Sequence, residues 1–232
     1  MTKRKGLALC AVVLAALLVT KTGDAALPPA GDMAASDAEL EYLVSIGGLY
    51  RNKGTDGAGE RYDGIAAVLP RADSVRMIWW VDNETFSGTG ELDRHALVVQ
   101  WGEKYPVVYS STDEGVLSGE WDDGAGNDTL ELFAPLDPEP APAPHGRYRL
   151  EGLSADGTAY TGTVSIARKG EAFEFVWHAG VESHRGKGKR QGNLLQVTRA
   201  DGLPAIYALD TDGTLRGLLG KGHSEETLTP LR

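Results

Sequence analysis

The residues best able to bind a metal ion lie in the stretch HAGVESH, which runs from His178 to His184. Side chains alternate along strands, so Glu182 and His184 would share one face of a hairpin, and His178 could join them from the neighbouring strand. Two imidazoles and a carboxylate suit zinc with one open coordination position. A metal-assisted hydrolase is therefore one hypothesis. The aligned segment of an earlier repeat keeps a glutamate, Glu84, without either histidine, which favours a structural role for the shared carboxylate.

Three cations follow directly in the stretch HRGKGKR, where Arg185, Lys187 and Lys189 alternate with Gly186 and Gly188. This spacing places the cations on one face of a strand and the glycines on the other. Such a basic stripe could attract a phosphate, an anionic glycan or a membrane surface. The alternatives are a solvated strand face, or one that complements an acidic part of the same molecule.

Four of the five tryptophans fall between residues 79 and 121: Trp79, Trp80, Trp101 and Trp121. Aromatic side chains on a sheet face can bind sugars or a partner protein. Trp79 is expected in the core, and Trp80, which alternates with it, could be exposed. Trp80 and Trp101 are thus candidate residues for apolar contact with a ligand. Packing in the core or between domains is the alternative.

Patterns for nucleophilic catalysis and for calcium binding do not occur. The sequence contains no G-x-S-x-G motif. The stretch DDGAGND lacks the ligand spacing of a calcium loop, and its acidic residues Asp122, Asp123 and Asp128 are expected to be solvated. We therefore predict a protein without a cofactor that binds rather than catalyses.

The start of the chain has the pattern of a secretory signal. Basic residues 3–5 precede an apolar run from Leu7 to Val19, and the small residues Gly23 and Ala25 favour cleavage after position 25. We expect no transmembrane span after that cleavage.

Cleavage there would also remove Cys10, the one cysteine in the sequence. An exported chain without disulfides favours a bacterial periplasmic or secreted setting. The net charge of −10 argues against nucleic acid as a partner.

The middle and end of the chain are two copies of one unit. Residues 48–130 align without gaps on residues 146–228, at an offset of 98 positions. The shared residues include Tyr62 and Tyr160, Trp79 and Trp177, and Tyr109 and Tyr207. The predicted organisation is a signal peptide at 1–25, an N-terminal linker and short helix at 26–47, the first repeat at 48–132, a Pro-rich linker at 133–145, and the second repeat at 146–232.

Apolar residues alternate with polar ones in each copy, and Gly, Asp or Asn separates the alternating segments. Phe173, Phe175 and Trp177 illustrate the period of two. Eight short strands per copy predict an all-β fold of two tandem antiparallel meanders. Each would be a small barrel of roughly eight strands, with a short helix before the first. The alternative is a single larger barrel or sandwich to which both copies contribute.

The repeated motifs resemble tandem modules of secreted or periplasmic proteins of alphaproteobacteria, often described as hypothetical. The residues that carry this resemblance in the second copy are Gly146–Tyr148, Tyr160–Gly162, Trp177, Gly186–Gly188, Leu195–Val197, Tyr207, Gly213–Gly217 and Glu226–Pro230. The first copy departs from the closing motif at Asp128–Leu132. The resemblance implies the fold and the compartment, and the architecture is more loosely similar to avidin and lipocalin barrels.

Together these observations predict a non-catalytic exported binding module. Its expected partner is a small ligand, an anionic glycan or another envelope component, or a partner protein. The two alternatives are the metal-assisted hydrolase with His178, Glu182 and His184, and a purely structural repeat protein of the envelope.

Overall fold

The computed structural model describes residues 36–94, 96–113 and 115–231, and within them the chain forms two closed antiparallel barrels of eight strands each. One short helix precedes the first strand. Each strand pairs with the next along the chain, and the last strand of each barrel pairs with its first. The predicted all-β fold with tandem barrels is therefore confirmed. The single larger barrel is not formed, because each copy closes on itself.

Each sequence copy supplies one complete barrel. The strands of barrel 1 are β1 (Gly48–Thr55), β2 (Arg61–Pro70), β3 (Val75–Val81), β4 (Glu84–Asp93), β5 (Ala96–Gln100), β6 (Val107–Asp113), β7 (Val116–Trp121) and β8 (Gly126–Pro135). Those of barrel 2 are β9 (Gly146–Leu153), β10 (Ala159–Lys169), β11 (Ala172–Ala179), β12 (Glu182–Gln191), β13 (Leu194–Arg199), β14 (Pro204–Leu209), β15 (Leu215–Leu219) and β16 (Ser224–Pro230).

Strand register is the same in both barrels. Trp79 pairs with Phe86 across β3 and β4, and Trp177 pairs with His184 across β11 and β12. Equivalent positions therefore point the same way, and the offset of 98 can be used to compare the two interiors residue by residue.

Glycines make room for the tyrosine rings that fill each interior. Tyr109 of β6 lies across from Gly119 of β7, and Tyr207 of β14 lies across from Gly217 of β15. A Cβ atom at either glycine would overlap the ring. Because glycine has no side chain to pack, a strand glycine marks close approach of another group, and here that group is the tyrosine.

The segment before each barrel closes one of its ends. Helix α1 (Asp37–Ser45) begins with a capping box between Ser36 and Glu39, and its Leu43 is buried among the inward residues of barrel 1. The hydroxyl of Tyr50 donates to the Ile46 carbonyl at 2.6 Å. The end of barrel 1 from which β1 begins is therefore covered by the helix, whereas the opposite end is its mouth.

The segment between the barrels covers the corresponding end of barrel 2. Strand β8 runs to Pro135, three residues into the expected linker, and Ala141 is buried in the core of barrel 2. Asn193 holds the segment in place by donating to the carbonyls of Asp137 (2.8 Å) and Glu139 (2.5 Å) and accepting from the Ala141 amide (2.9 Å). The linker is thus a packed part of the fold.

The barrels pack together through outward-facing apolar residues. Barrel 1 contributes Leu49, Ile65, Ala67, Ile78, Trp80 and Ala134, barrel 2 contributes Leu194, Ile206, Ala208 and Leu218, and the segment joining the barrels adds Leu136. Beside this cluster, Arg51 forms an ion pair with Glu225 at 2.5 Å. Strands β2 and β3 are therefore buried on both faces, which explains their long apolar runs.

Within the described residues, no helix has the length and hydropathy needed to cross a bilayer. The predicted signal peptide at residues 1–25 lies outside the described residues.

Candidate functional site

A buried carboxylate organises the interior of barrel 1. Asp128, near the start of β8, is 5% exposed and accepts hydrogen bonds from two tyrosine hydroxyls. The Tyr109 hydroxyl donates to Oδ2 at 2.6 Å, and the Tyr62 hydroxyl donates to Oδ1. The indole N–H of Trp79 donates to the Tyr109 hydroxyl at 3.0 Å. The carboxylate is thereby tied to β2, β3 and β6.

Barrel 2 repeats the arrangement with a glutamate. Glu226 accepts from Tyr160 at 2.9 Å, from Tyr207 at 2.6 Å and from the Trp177 indole at 3.3 Å. The longer side chain reaches the tryptophan directly, whereas Trp79 reaches Asp128 through a tyrosine. The same four chain positions therefore form the network in both barrels.

Burial shifts the acidity of this network. Removal from water raises the pKa of Asp128, although the hydrogen bonds from Tyr109 and Tyr62, and the nearby amide of Asn52, oppose that shift. Burial, followed by the nearby carboxylate, raises the pKa of Tyr62 and Tyr109, so both remain neutral donors. The same causes raise the pKa of Tyr160.

An aromatic cavity of about 200 Å³ opens above this network at the mouth of barrel 1. Its lining residues are Asn52, Asp56, Tyr62, Trp79, Val81, Phe86, Trp101, Val107, Trp121 and Asp128. Phe86 and Trp101 meet edge to face at 6.0 Å between ring centroids, and Trp101 and Trp121 do so at 5.8 Å. These rings come from the ends of three strands and form one continuous apolar wall.

Two polar groups of this cavity lack hydrogen-bond partners among the described residues. Asn52 is 1% exposed, yet neither atom of its amide makes a hydrogen bond of acceptable geometry, although the amide is close enough to affect Asp128. The buried indole N–H of Trp121 is likewise unpartnered. A buried polar group without a partner costs about 1–3 kcal/mol. The cavity therefore presents unsatisfied donors and an acceptor inside an apolar wall.

The mouth of barrel 2 has the same hydrogen-bonded residues beneath it as barrel 1 but different residues around its opening. A cavity of about 420 Å³ lies over Tyr160, Trp177 and Glu226. Leu150 stands where barrel 1 has Asn52, and the further replacements are His184 for Phe86, Arg199 for Trp101 and Leu219 for Trp121. The two mouths therefore have different chemistry on the same frame.

The two candidate tryptophans have different surroundings. Trp101 lines the cavity of barrel 1, and its indole N–H donates to the Tyr105 carbonyl at 3.0 Å. Trp80 alternates to the outer face, as expected, but barrel 2 covers that face and leaves the side chain 4% exposed. The expectation that Trp80 could be exposed is wrong, because it packs between the barrels.

The three candidate cations do lie on the outer face of barrel 2. Arg185, Lys187 and Lys189 are exposed, and none of them forms an ion pair with a described residue. Gly186 and Gly188 face inward, where a Cβ would approach Trp177 and Phe175 at 3.0 and 3.1 Å.

The structure brings together two of the three candidate metal ligands. Nε2 of His184 lies 3.2 Å from the Glu182 carboxylate, and both residues line the mouth of barrel 2. His178 is exposed and, by alternation with the buried Trp177, projects from the opposite face. Within the described parts of the chain, no three His, Cys, Asp or Glu side chains cluster closely enough to share a metal ion.

Sequence reasoning missed the buried carboxylates. Asp128 was expected to be solvated because it follows the turn at Asp122–Ala125, but it lies inside β8 and faces the interior. The available signal was the alignment itself: Asp128 and Glu226 occupy the same position in the two copies, as do the tyrosines that bind them.

No family model and no curated protein matches this sequence. Among solved structures, the chain is similar to a protein of unknown function from Nostoc punctiforme that belongs to the DUF3598 family. The sequence identity is 10% and the TM-score 0.25, and the match covers 84% of this chain and 100% of the other.

Proposed function

We propose that the protein is a non-catalytic binding module that takes a small ligand into the mouth of barrel 1. The observation that supports this most directly is the amide of Asn52, buried at the base of an aromatic cavity without a partner among the described residues. Ligand sites are typically apolar cavities with a few convergent polar groups, and this cavity has that composition.

The cavity favours a ligand with a flat apolar body and one polar group. Rings from Phe86, Trp101 and Trp121 supply the wall, and about 200 Å³ accommodates a molecule of roughly one ring. Pairing with Asn52 would remove the cost of its unsatisfied amide. Displacement of water from the wall adds a favourable hydrophobic contribution.

Binding can be tested with 4-fluorobenzamide observed by ¹⁹F NMR, which avoids interference from the tryptophans. The variant Asn52→Leu should weaken binding about tenfold, which corresponds to the loss of about 1.4 kcal/mol of hydrogen bonding. Leucine already occupies the equivalent position 150 in barrel 2, so the fold should tolerate it.

The matched control is Gln196→Leu, the same kind of change on the outer face of barrel 2. It should leave affinity unchanged. Equal affinity of Asn52→Leu and wild type would contradict the proposal.

A second candidate function is the binding of an anionic glycan by Arg185, Lys187 and Lys189. Their exposure and their lack of ion pairs with described residues support it. Substituting all three by serine should lower the salt concentration needed for elution from heparin. Substituting Arg147, Arg168 and Lys169, which are exposed elsewhere on barrel 2, should have a smaller effect. If the two triple substitutions lower the eluting salt concentration equally, Arg185, Lys187 and Lys189 contribute only to the overall charge and do not form a specific site.

We also propose that the protein is exported, on the basis of the signal-like pattern at residues 1–25. Fractionation of bacteria that express the full chain should recover a shortened product outside the cytoplasm. Recovery of the full-length chain in the cytoplasm would contradict this.

A further inference from the structure

The mouth of barrel 1 carries a concentrated negative charge. Its four connecting loops cover residues 56–60, 82–83, 101–106 and 122–125. They contain one cation, Lys104, and six carboxylates: Asp56, Glu60, Asp82, Glu103, Asp122 and Asp123. Of these, Asp82 is paired with Lys221 of barrel 2 at 2.6 Å. A cleft bordered by one sign of charge concentrates ligands of the opposite sign.

The negative charge is largest at this end of this barrel. The loops at the covered end of barrel 2 contain three carboxylates, Glu171, Asp210 and Asp212. The loops at the helix-covered end of barrel 1 contain two carboxylates and two cations by sequence, and so carry no net charge. At the mouth of barrel 2 the four loops contain Asp156, Asp201 and Lys221, a net charge of −1. The excess of acid therefore coincides with the aromatic cavity.

The interior of the cavity also favours a positively charged ligand. Its charged lining residues are Asp56 and Asp128, and no lysine or arginine of the described chain lines it. Two tyrosine hydroxyls occupy part of the Asp128 carboxylate, which has about four acceptor positions. The oxygen of the Asn52 amide is a further acceptor. The faces of aromatic rings also attract cations.

We propose that the ligand of barrel 1 is a small organic cation, a protonated amine. Its N–H groups point to the Asp128 carboxylate and the Asn52 oxygen, and its carbon body lies among Phe86, Trp101 and Trp121. This inference rests on the proposed ligand-binding function and adds the charge of the ligand. Acceptors at the base, rings along the wall and carboxylates at the rim then all serve one ligand class.

Three probes of similar size test the charge: 4-fluorobenzylamine, 4-fluorobenzyl alcohol and 4-fluorobenzoate, each titrated into the full chain by ¹⁹F NMR. At neutral pH and about 0.01 M salt, the amine should bind at least tenfold more tightly than the alcohol, and benzoate should bind least. The preference for the amine should fall as salt rises, because the rim carboxylates are exposed to screening.

The rim is tested by removing three charges together with Glu103→Gln, Asp122→Asn and Asp123→Asn. Asp122 and Asp123 have φ values of 52° and 55°, a region that asparagine tolerates, so the turn should persist. This variant should bind the amine about threefold more weakly and the alcohol unchanged. The matched control, Asp73→Asn with Glu91→Gln and Asp93→Asn, removes the same charge near the covered end and should leave both affinities unchanged.

The outcomes separate the two proposals. If the alcohol or benzoate binds as tightly as the amine or more tightly, the proposal of a cationic ligand is overturned. The same follows if the two triple variants change the affinity for the amine equally. In both cases the cavity remains a ligand site. Failure of all three probes and of 4-fluorobenzamide to bind would overturn the ligand-binding function itself.

Discussion

One methylene group distinguishes the buried carboxylates of the two barrels and changes their surroundings. Glu226 reaches both tyrosines and the tryptophan of its barrel. Asp128 is shorter, and the indole of Trp79 binds Tyr109 instead. Barrel 1 also has the polar Asn52 beside its carboxylate, where barrel 2 has the apolar Leu150. In barrel 1, where the carboxylate is shorter, the floor of the cavity thus has polar groups that are still available to a ligand.

Ionisation of Asp128 should make wild-type stability depend on pH. Burial raises its pKa above the usual 3.8, so the folded state holds this proton more tightly than the unfolded state does. The stabilising contribution is complete below pH 3.8 and is lost as pH rises through the raised pKa. Relative to Asp128→Asn, the free energy of unfolding of the wild type should therefore decrease over that interval.

Urea unfolding of the two proteins at a series of pH values measures this difference, because their other titrating groups are the same. Tyr62 and Tyr109 do not contribute in this range, since their own pKa values are raised from 10.0. If the free energy of unfolding of the wild type instead increases with pH relative to Asp128→Asn, the hydrogen bonds to the carboxylate outweigh its burial.

At the scale of elements, the segment between the barrels is held by two side chains. Asn193 makes three hydrogen bonds to the backbone of residues 137–141, and Arg190 donates to the carbonyls of Ala141 (2.8 Å) and Pro142 (3.2 Å). Prolines prevent this segment from pairing as a strand. The side-chain bonds therefore replace the backbone pairing that a strand would have.

We expect Asn193→Ala to release this segment. Limited proteolysis should cut the variant within residues 136–145 several times faster than the wild type, because local opening governs cleavage of folded proteins. Gln191→Ala, an exposed change on the preceding strand, is the control and should leave the rate unchanged. If Asn193→Ala were cleaved no faster, packing of Leu136 and Ala141 would be sufficient to hold the segment.

The elements themselves follow from sequence to a large extent, because their causes are local. Alternation around Phe173, Phe175 and Trp177 fixes the inward face of β11, and the capping box at Ser36 fixes the start of α1. Burial of Asp128 and Trp80 depends on residues that are distant in sequence. The first needs two tyrosines from other strands, and the second needs the surface of barrel 2. Neither requirement appears in the local sequence.

At the scale of the whole molecule, the two copies differ most clearly where they pack together. The face of barrel 1 that includes Ile65 and Trp80 has the polar equivalents Thr163 and His178 in barrel 2. An interface of this kind uses different surfaces on the two units. If the units were identical, the same contact could repeat from one unit to the next and form a filament. At these positions barrel 2 therefore lacks the apolar side chains through which barrel 1 packs against its neighbour.

This arrangement makes a prediction about two equivalent positions. Ile206 is fully buried between the barrels, whereas Val108, its counterpart in barrel 1, is 41% exposed. Aspartate at position 206 would place an unpaired charge in an apolar contact and should lower the free energy of unfolding by at least about 3 kcal/mol. The same change at position 108 should cost less than about 1 kcal/mol, because its carboxylate remains in water.

Urea unfolding followed by tryptophan fluorescence measures both variants against the wild type. Trp80 reports on the contact between the barrels, and Trp79 reports on the interior of barrel 1. In Ile206→Asp the barrels should separate before the interior of barrel 1 unfolds, so the fluorescence transition should have two steps. Equal destabilisation at the two positions would show that the outer faces of β6 and β14 are equivalent in solution. The barrels would then not be joined by the contact that buries Trp80.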